Sequence, residues 1–123
     1  MECKECGRSW HNNIINKKLN TDCKKDFSIC DLDGVVRCHY ASKTRLIIYE
    51  SKFANEKAMG NSQRLTLSIL ANNIDWTKFD NYSGLYVLKI YDIENDIRWY
   101  DINYKHIRTT NFKELYEIFS CKV

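Results

Sequence analysis

The sequence contains no proline and only four glycines in 123 residues, which excludes proline-rich linkers and collagen-like repeats. No run approaches the roughly 20 apolar residues that a membrane-crossing helix needs. The stretch Met1–Trp10 is polar, without the apolar centre of a signal peptide. Charge of one sign is also scarce in excess: 19 Lys+Arg against 16 Asp+Glu leave a formal net of +3, too little to announce a polyanionic partner. Internal repeats and low-complexity tracts are absent. What is present is 44% hydrophobic and 13% aromatic residues, enough to bury a core and to exclude a disordered chain. The length fits one domain, since single domains commonly hold about 100–150 residues. One domain over 1–123 is therefore expected, with a cysteine-containing N-terminal arm over 1–26 and an α/β core over 27–123. The missing proline and the abundant Lys, Asn, Ile and Tyr fit an AT-rich coding sequence and carry no functional meaning.

The charge becomes informative once it is divided. Met1–Lys52 holds ten Lys+Arg against seven Asp+Glu, and Phe53–Val123 holds nine against nine. The whole excess thus lies in the first 52 residues, a bias compatible with a phosphate-rich partner and equally with an ordinary solvated surface.

Without a leader or a membrane anchor, the expected location is the cytoplasm, where the six cysteines are expected as thiols or metal ligands rather than disulfides. Cys3-Lys4-Glu5-Cys6-Gly7 has the shape of a zinc knuckle. A structural zinc needs four ligands, so Cys23 and Cys30 are the candidates to complete the set, with His11 as an alternative; free thiols or a disulfide are the plainer readings. Zinc would order a polar arm that has little apolar content of its own. Cys38 and Cys121 read as small buried residues, and His39 and His106 as ordinary strand or loop histidines.

The pattern of apolar residues predicts six elements. A short helix is compatible with Trp10–Leu19, where Trp10, Ile14 and Ile15 recur. Phe27–His39 favours a strand, interrupted by Asp31 and Asp33. After a polar turn at Ala41–Thr44, Arg45–Lys52 follows as a strand whose apolar run Leu46-Ile47-Ile48-Tyr49 suggests burial on both faces. A helix over about Ser62–Asn72 is capped by Asn61 or Ser62, shows Leu65, Leu67, Ile69, Leu70 and Ile74 as a wide apolar face, and ends at Asn72-Asn73. Gly84–Asp92 reads as a central strand that leads through a turn at Glu94–Asp96 into a strand over Ile97–Ile102, an antiparallel hairpin. The last helix starts at Asn111, which has a capping-box spacing to Glu114, with Phe112, Leu115, Ile118 and Phe119 inward. Tyr86 reads as core, whereas Tyr91, Trp99 and Tyr100 read either as core or as platforms for unpaired bases. The expected architecture is an α/β sandwich: a mixed four-stranded sheet whose first two strands form an antiparallel hairpin, flanked by helices.

The residues that carry chemistry lie on those first two strands. Residues two apart in a strand share a face, so Asp31 and Asp33 point one way, as do Glu50 and Lys52. A turn centred between Ala41 and Ser42 sets Asp33 opposite Glu50 and Asp31 opposite Lys52. A turn one residue later sets Asp33 opposite Lys52. Asp33 belongs to the cluster in both registers and ranks above Asp31. Carboxylates so placed suit Mg²⁺, a hard cation held by one or two carboxylates with substrate phosphate and water. The metal would offset charge on a phosphate and acidify a bound water, and an adjacent lysine would position that water or stabilise developing charge. The plain alternative is a surface ion pair between Glu50 and Lys52.

The stretch Asp31-Leu32-Asp33-Gly34-Val35-Val36, then Leu46-Ile47-Ile48-Tyr49-Glu50-Ser51-Lys52, then Gln63 opening a helix, resembles the PD-(D/E)xK (restriction-endonuclease-like) nuclease superfamily, and most closely its small phage- or virus-encoded members. The resemblance covers about Phe27 to Tyr100. Leu32 stands where the superfamily's namesake proline would be, and Trp10–Leu19 lacks the helix glutamate that many members carry. By this resemblance Asp33 and Glu50 would hold Mg²⁺ or Mn²⁺ with the backbone carbonyl of Ser51, and Asp31 would be an alternative carboxylate. Lys52 would act on the attacking water, and Gln63 would orient Lys52 or the scissile phosphate. The implied function is metal-dependent hydrolysis of phosphodiester bonds, with DNA ahead of RNA, in the host cytoplasm if the chain is viral. Cutting both strands of a duplex would require a homodimer. Two other readings stand beside it. One is a catalytically inactive protein on the same fold that binds nucleic acid or a host protein, for example a viral inhibitor. The other is a small zinc-stabilised interaction module.

Overall fold

The structure, a computed structural model, describes residues 32–38, 44–57 and 59–123. The expected helix over Trp10–Leu19, the zinc candidates Cys3, Cys6, His11, Cys23 and Cys30, and also Asp31 and His39, lie outside the described residues. Within them the order is β1 (Gly34–Arg37), β2 (Leu46–Phe53), α1 (Asn61–Asn73), a 3₁₀ turn (Trp76–Lys78), β3 (Gly84–Asp92), β4 (Asp96–Tyr100), β5 (His106–Thr110) and α2 (Phe112–Phe119). The five strands form one mixed sheet in the order β1-β2-β3-β4-β5, with β2 and β3 parallel and every other pairing antiparallel. The expected sheet of four strands is therefore corrected to five. Strand β5 carries the sequence HIRTT and buries only Thr110; an edge strand recruited by backbone pairing has no apolar alternation to give it away.

Side-chain alternation along β2 and β3 divides the sheet into two faces. Ile47, Tyr86, Leu88, Ile97 and Trp99 cluster on one face with Ile118 of α2, joined by Val36, Tyr49, Leu115 and Phe119. This is the main core, and Trp99 at its centre is fully buried, its indole N–H donated to Thr110 Oγ1 at 3.0 Å. The other face carries Ile48, Glu50, Leu85 and Val87 under α1. Ile47 and Ile48 are both buried, as the unbroken apolar run of β2 requires of a strand covered on both sides.

The helices differ from their expected form in instructive ways. Asn111 caps α2 with the reciprocal capping box to Glu114, but Phe112 is exposed. In α1 the cap is Gly60, with no side-chain cap bond, rather than Asn61 or Ser62. Only Leu67 is buried there, while Leu65 and Ile69 remain 64% and 57% exposed. At about 100° per residue, Leu65 and Leu67 project to opposite sides of a helix, so one sheet face cannot cover both.

Two features tie distant segments together. Arg45, 2% exposed, donates through Nε to Asp80 Oδ2 at 2.9 Å, through Nη1 to the Ile118 carbonyl at 2.6 Å and through Nη2 to the Val123 carbonyl at 2.8 Å. Its guanidinium also lies 4.5 Å from the Tyr82 ring centroid. Asp80 is held below the ordinary aspartate range: partial burial opposes ionisation, but the Arg45 hydrogen bond and charge, with Ser83 and the Tyr82 backbone, outweigh it. Cys38 and Cys121, both buried, form a disulfide across Cα atoms 5.9 Å apart, which corrects the expectation that they are unpaired thiols. They stand 83 residues apart, and only the return of the chain after α2 to the end of β1 brings them within bridging reach. No helix among the described residues is long and apolar enough to cross a membrane.

Arg45→Met leaves a carboxylate and two carbonyls facing an apolar side chain and should lower the unfolding free energy by about 3–5 kcal/mol, read by urea denaturation. Asp80 ionises more readily in the folded chain than in the unfolded one. Its contribution is therefore complete above the ordinary aspartate pKa of about 3.9 and is lost as pH falls below it. The acid transition of Asp80→Asn should accordingly be shallower than that of the native protein. Reduction of Cys38–Cys121 should remove about 2–4 kcal/mol, and peptide mapping without reductant should recover the two cysteines linked.

Candidate functional site

The observed pairs Gly34–Tyr49, Val35–Ile48, Val36–Ile47 and Arg37–Leu46 are those of the turn centred between Ala41 and Ser42, so Asp33, just before β1, faces Glu50. Two local features hold that position. Asp33 Oδ2 accepts from the Ser51 backbone N–H at 2.7 Å and from Ser51 Oγ at 2.8 Å. At the next position a Cβ on Gly34 would run into the Tyr49 ring, so only glycine lets β1 pass this close to the tyrosine.

Glu50 and Lys52 project from the same side of β2. Lys52 Nζ lies 4.0 Å from Glu50 Oε1, a long and partly exposed pairing. Glu50 is 7% exposed, and its second oxygen, Oε2, is buried without a hydrogen-bond partner. Its carboxyl is pushed above the ordinary glutamate range, first by burial and then by the negative charge of Asp33. Lys52, the Gln63 side chain and the Asp33 backbone pull the other way without restoring it. Gln63 belongs to the first turn of α1, and it favours the charged form of Glu50 without closing a hydrogen bond to Oε2.

Four residues singled out in the sequence are thus brought together: Asp33 beside β1, Glu50 and Lys52 on β2, and Gln63 on α1. Ser51 is tied to Asp33 through its N–H and hydroxyl. Among the described residues no group of three or more His, Cys, Asp and Glu side chains gathers, so the donor set is two carboxylates, all oxygen. The cluster sits at the carboxyl ends of the parallel strands β2 and β3, beside the start of the crossover helix, where open α/β sheets form their ligand crevices. No acidic side chain occupies the first turn of α1 itself. Tyr86 and Trp99, buried in the core, are withdrawn from any stacking role, whereas Tyr91 is exposed. Sequence reasoning missed two neighbours, Lys89 and Arg98. Lys89 stands beside Lys52, and Arg98 beside Lys89, only through cross-strand register, which no local signal encodes. No family model, curated protein or solved structure matches the chain.

A buried carboxylate that burial and a like charge both disfavour destabilises the fold when ionised. Glu50→Gln should therefore raise the unfolding free energy at neutral pH by on the order of 1 kcal/mol. Because Glu50 binds its proton more tightly folded than unfolded, this gain should shrink as pH falls towards the ordinary glutamate pKa of about 4.3. A Glu50→Gln variant less stable than the native protein at pH 7 would contradict this account.

Proposed function

We propose that the protein is a metal-dependent nuclease hydrolysing phosphodiester bonds, with Asp33, Glu50, Lys52 and Gln63 as its working residues. The observation that carries the reading is Glu50: a buried carboxylate oxygen without a partner, facing a second carboxylate, with a lysine and an amide converging on it. A divalent cation at this place answers both the orphaned oxygen and the repulsion between Asp33 and Glu50. The donors fit Mg²⁺ or Mn²⁺, which take oxygen ligands and keep positions for water and phosphate. Asp33 and Glu50 would hold the ion, with the Ser51 carbonyl as a further donor. The ion would supply Lewis-acid stabilisation of phosphate charge and a more acidic water.

The chain's own residues have distinct tasks in this scheme. Asp33 is oriented by its two bonds to Ser51, so its position is set before any ligand arrives, which lowers the cost of ordering the site. Lys52, a compact cation with three donors, stands where it can position a nucleophilic water and offset charge on the phosphoryl oxygens. Gln63 contributes an amide donor from α1, aimed at Lys52 or a phosphate oxygen. The resemblance of the Asp33, Glu50-Ser51-Lys52 and Gln63 pattern to the PD-(D/E)xK superfamily supports this reading, as does the mixed sheet with the pattern on adjacent strands. The restriction-endonuclease-like fold and a cytoplasmic location belong to the same proposal. Most cytosolic proteins lack bonds of the Cys38–Cys121 kind, so activity is best measured both with and without reductant. A single chain of this size offers little surface for both strands of a duplex, and a double-strand cut would require a second copy.

The test is cleavage of single-stranded and duplex DNA and RNA with Mg²⁺ or Mn²⁺. Lys52→Ala and Glu50→Gln should each slow cutting by about 10² or more. Mn²⁺ should raise the melting temperature of the native protein but not that of Glu50→Gln. No cleavage of any substrate with either metal, or a Lys52→Ala variant as active as the native chain, would end the nuclease reading and favour a non-catalytic nucleic-acid-binding protein.

A further inference from the structure

The face of the sheet that carries Glu50 and Lys52 continues beyond them. Lys52 pairs with Lys89 of β3, and Lys89 pairs with Arg98 of β4. Paired residues lie side by side on one face, so three cations cross three strands in a row. At about 4.8 Å per strand the row spans about 10 Å, the rise of about three stacked nucleotides at ~3.4 Å each. Like charges directly opposite one another destabilise a sheet. Among the described residues Lys89 has no acidic ion-pair partner. Arg98 is held in place by Asp96, with Nε and Nη2 both 3.1 Å from its carboxylate oxygens, and by the Tyr91 ring 3.8 Å below the guanidinium. Lys52 has Glu50 and Arg98 has Asp96 as an acidic neighbour, so it is at Lys89, between them, that the row gains from an anion supplied from outside.

The row ends at an open depression of about 460 Å³ lined by Asn95, Asp96, Arg98, Tyr100, His106 and Thr109. Its volume falls within the range of about 300–1,000 Å³ common to small-ligand sites. Strand register puts Arg98, Tyr100, His106 and Thr109 on the same face as Glu50 and Lys52. The Tyr100 and His106 rings meet nearly edge to face at 5.5 Å, and His106 Nε2 lies 2.9 Å from Thr109 Oγ1. Ring surfaces beside an amide, a carboxylate and a hydroxyl offer stacking together with donors and acceptors. A nucleobase can use both only when unpaired, because in a duplex its faces are stacked and its Watson–Crick edge is taken.

We propose that this face is a track for a single-stranded polynucleotide, with backbone phosphates on Lys89 and Arg98 and an unpaired base in the depression beside Tyr100 and His106. The inference deepens the nuclease reading and rests on it for the position of the scissile phosphate, at the Asp33–Glu50–Lys52 end of the row. It also makes single-stranded substrate, which one copy of the chain can engage, the preferred class. Arg64, in the first turns of α1 and 5.7 Å from the Tyr104 ring centroid, adds positive charge on the α1 side.

The experiment is fluorescence anisotropy in EDTA, where metal-dependent cutting cannot occur. The probes are a short labelled deoxyoligonucleotide of mixed sequence, its RNA counterpart and the corresponding duplex, each over a range of salt. The native protein should bind single strands about 10-fold or more tightly than the duplex, and the tighter of DNA and RNA identifies the strand it is built for. Lys89→Ala should weaken binding and reduce the slope of log K against log salt by about 0.7, the loss of one phosphate contact. His106→Ala, a change at an exposed position, should weaken single-strand binding about 5-fold or more and leave the salt slope unchanged. Equal affinity for duplex and single strand, or native affinity in both folded variants, would overturn the track. Cleavage that persists while binding ignores Lys89 and His106 removes the track alone. Absence of cleavage with binding that still depends on both residues removes the nuclease reading and keeps the track.

Discussion

One buried charge stands just before strand β2 and another within it, and the contrast between them organises the molecule. Ahead of the strand, Arg45 is almost wholly enclosed and satisfied, with Asp80 before β3 and two carbonyls at and beyond the end of α2 gathered around one guanidinium. A planar cation with five donors can join segments in this way, whereas an ammonium could not meet three separated acceptors in fixed directions. Glu50 lies towards the other end, nearly as enclosed, yet one of its oxygens is unmatched. The first charge ties β2 to distant segments; the second keeps one oxygen without a hydrogen-bond partner. Buried polar groups are normally paired, so the second charge is the one place on this strand where stability is given up.

The sheet makes that arrangement possible. A parallel pairing of β2 with β3 demands a crossover, and α1 supplies it, beginning where the two strands end. Gln63 in its first turn therefore approaches Glu50 as a consequence of topology. On the opposite side, the antiparallel approach of β1 delivers Asp33. It works because Gly34 tolerates the Tyr49 ring and because Ser51 supplies two donors to one carboxylate oxygen. The main core around Trp99 lies on the other face with α2, so the polar cluster has not displaced the packing that stabilises the chain. The main core cluster and the polar cluster occupy opposite faces of one sheet.

That division also accounts for the surface beyond the cluster. Strands β4 and β5 extend the Glu50 face, and their outward residues Arg98, Tyr100, His106 and Thr109 are polar or aromatic rather than aliphatic. The same strands bury Ile97, Trp99 and Thr110 on the other side. The disulfide joins the residue just after β1 to the second residue beyond α2. With Arg45 it holds the chain's end against the edge of the sheet that presents Asp33.

Much of this was legible in the residues themselves. The apolar run Leu46–Tyr49 announces β2, the bounds Gly84–Asp92 announce β3, and Asn111 with Glu114 announces the start of α2, because each is a local pattern. The pairing of Asp33 with Glu50 was also within reach, since a hairpin allows only a few registers. The faces of α1 were not, because apolar residues around a helix do not say which of them a sheet will cover. Nor was β5, whose place depends on backbone hydrogen bonds that any sequence can make. The Cys38–Cys121 bond, the three acceptors of Arg45 and the row Lys52–Lys89–Arg98 join residues far apart in the chain. Local sequence determined the first four strands, the cap of α2 and the residues of the cluster. Tertiary structure alone decided which charges are buried and which lie side by side, because burial and proximity depend on how the whole chain packs.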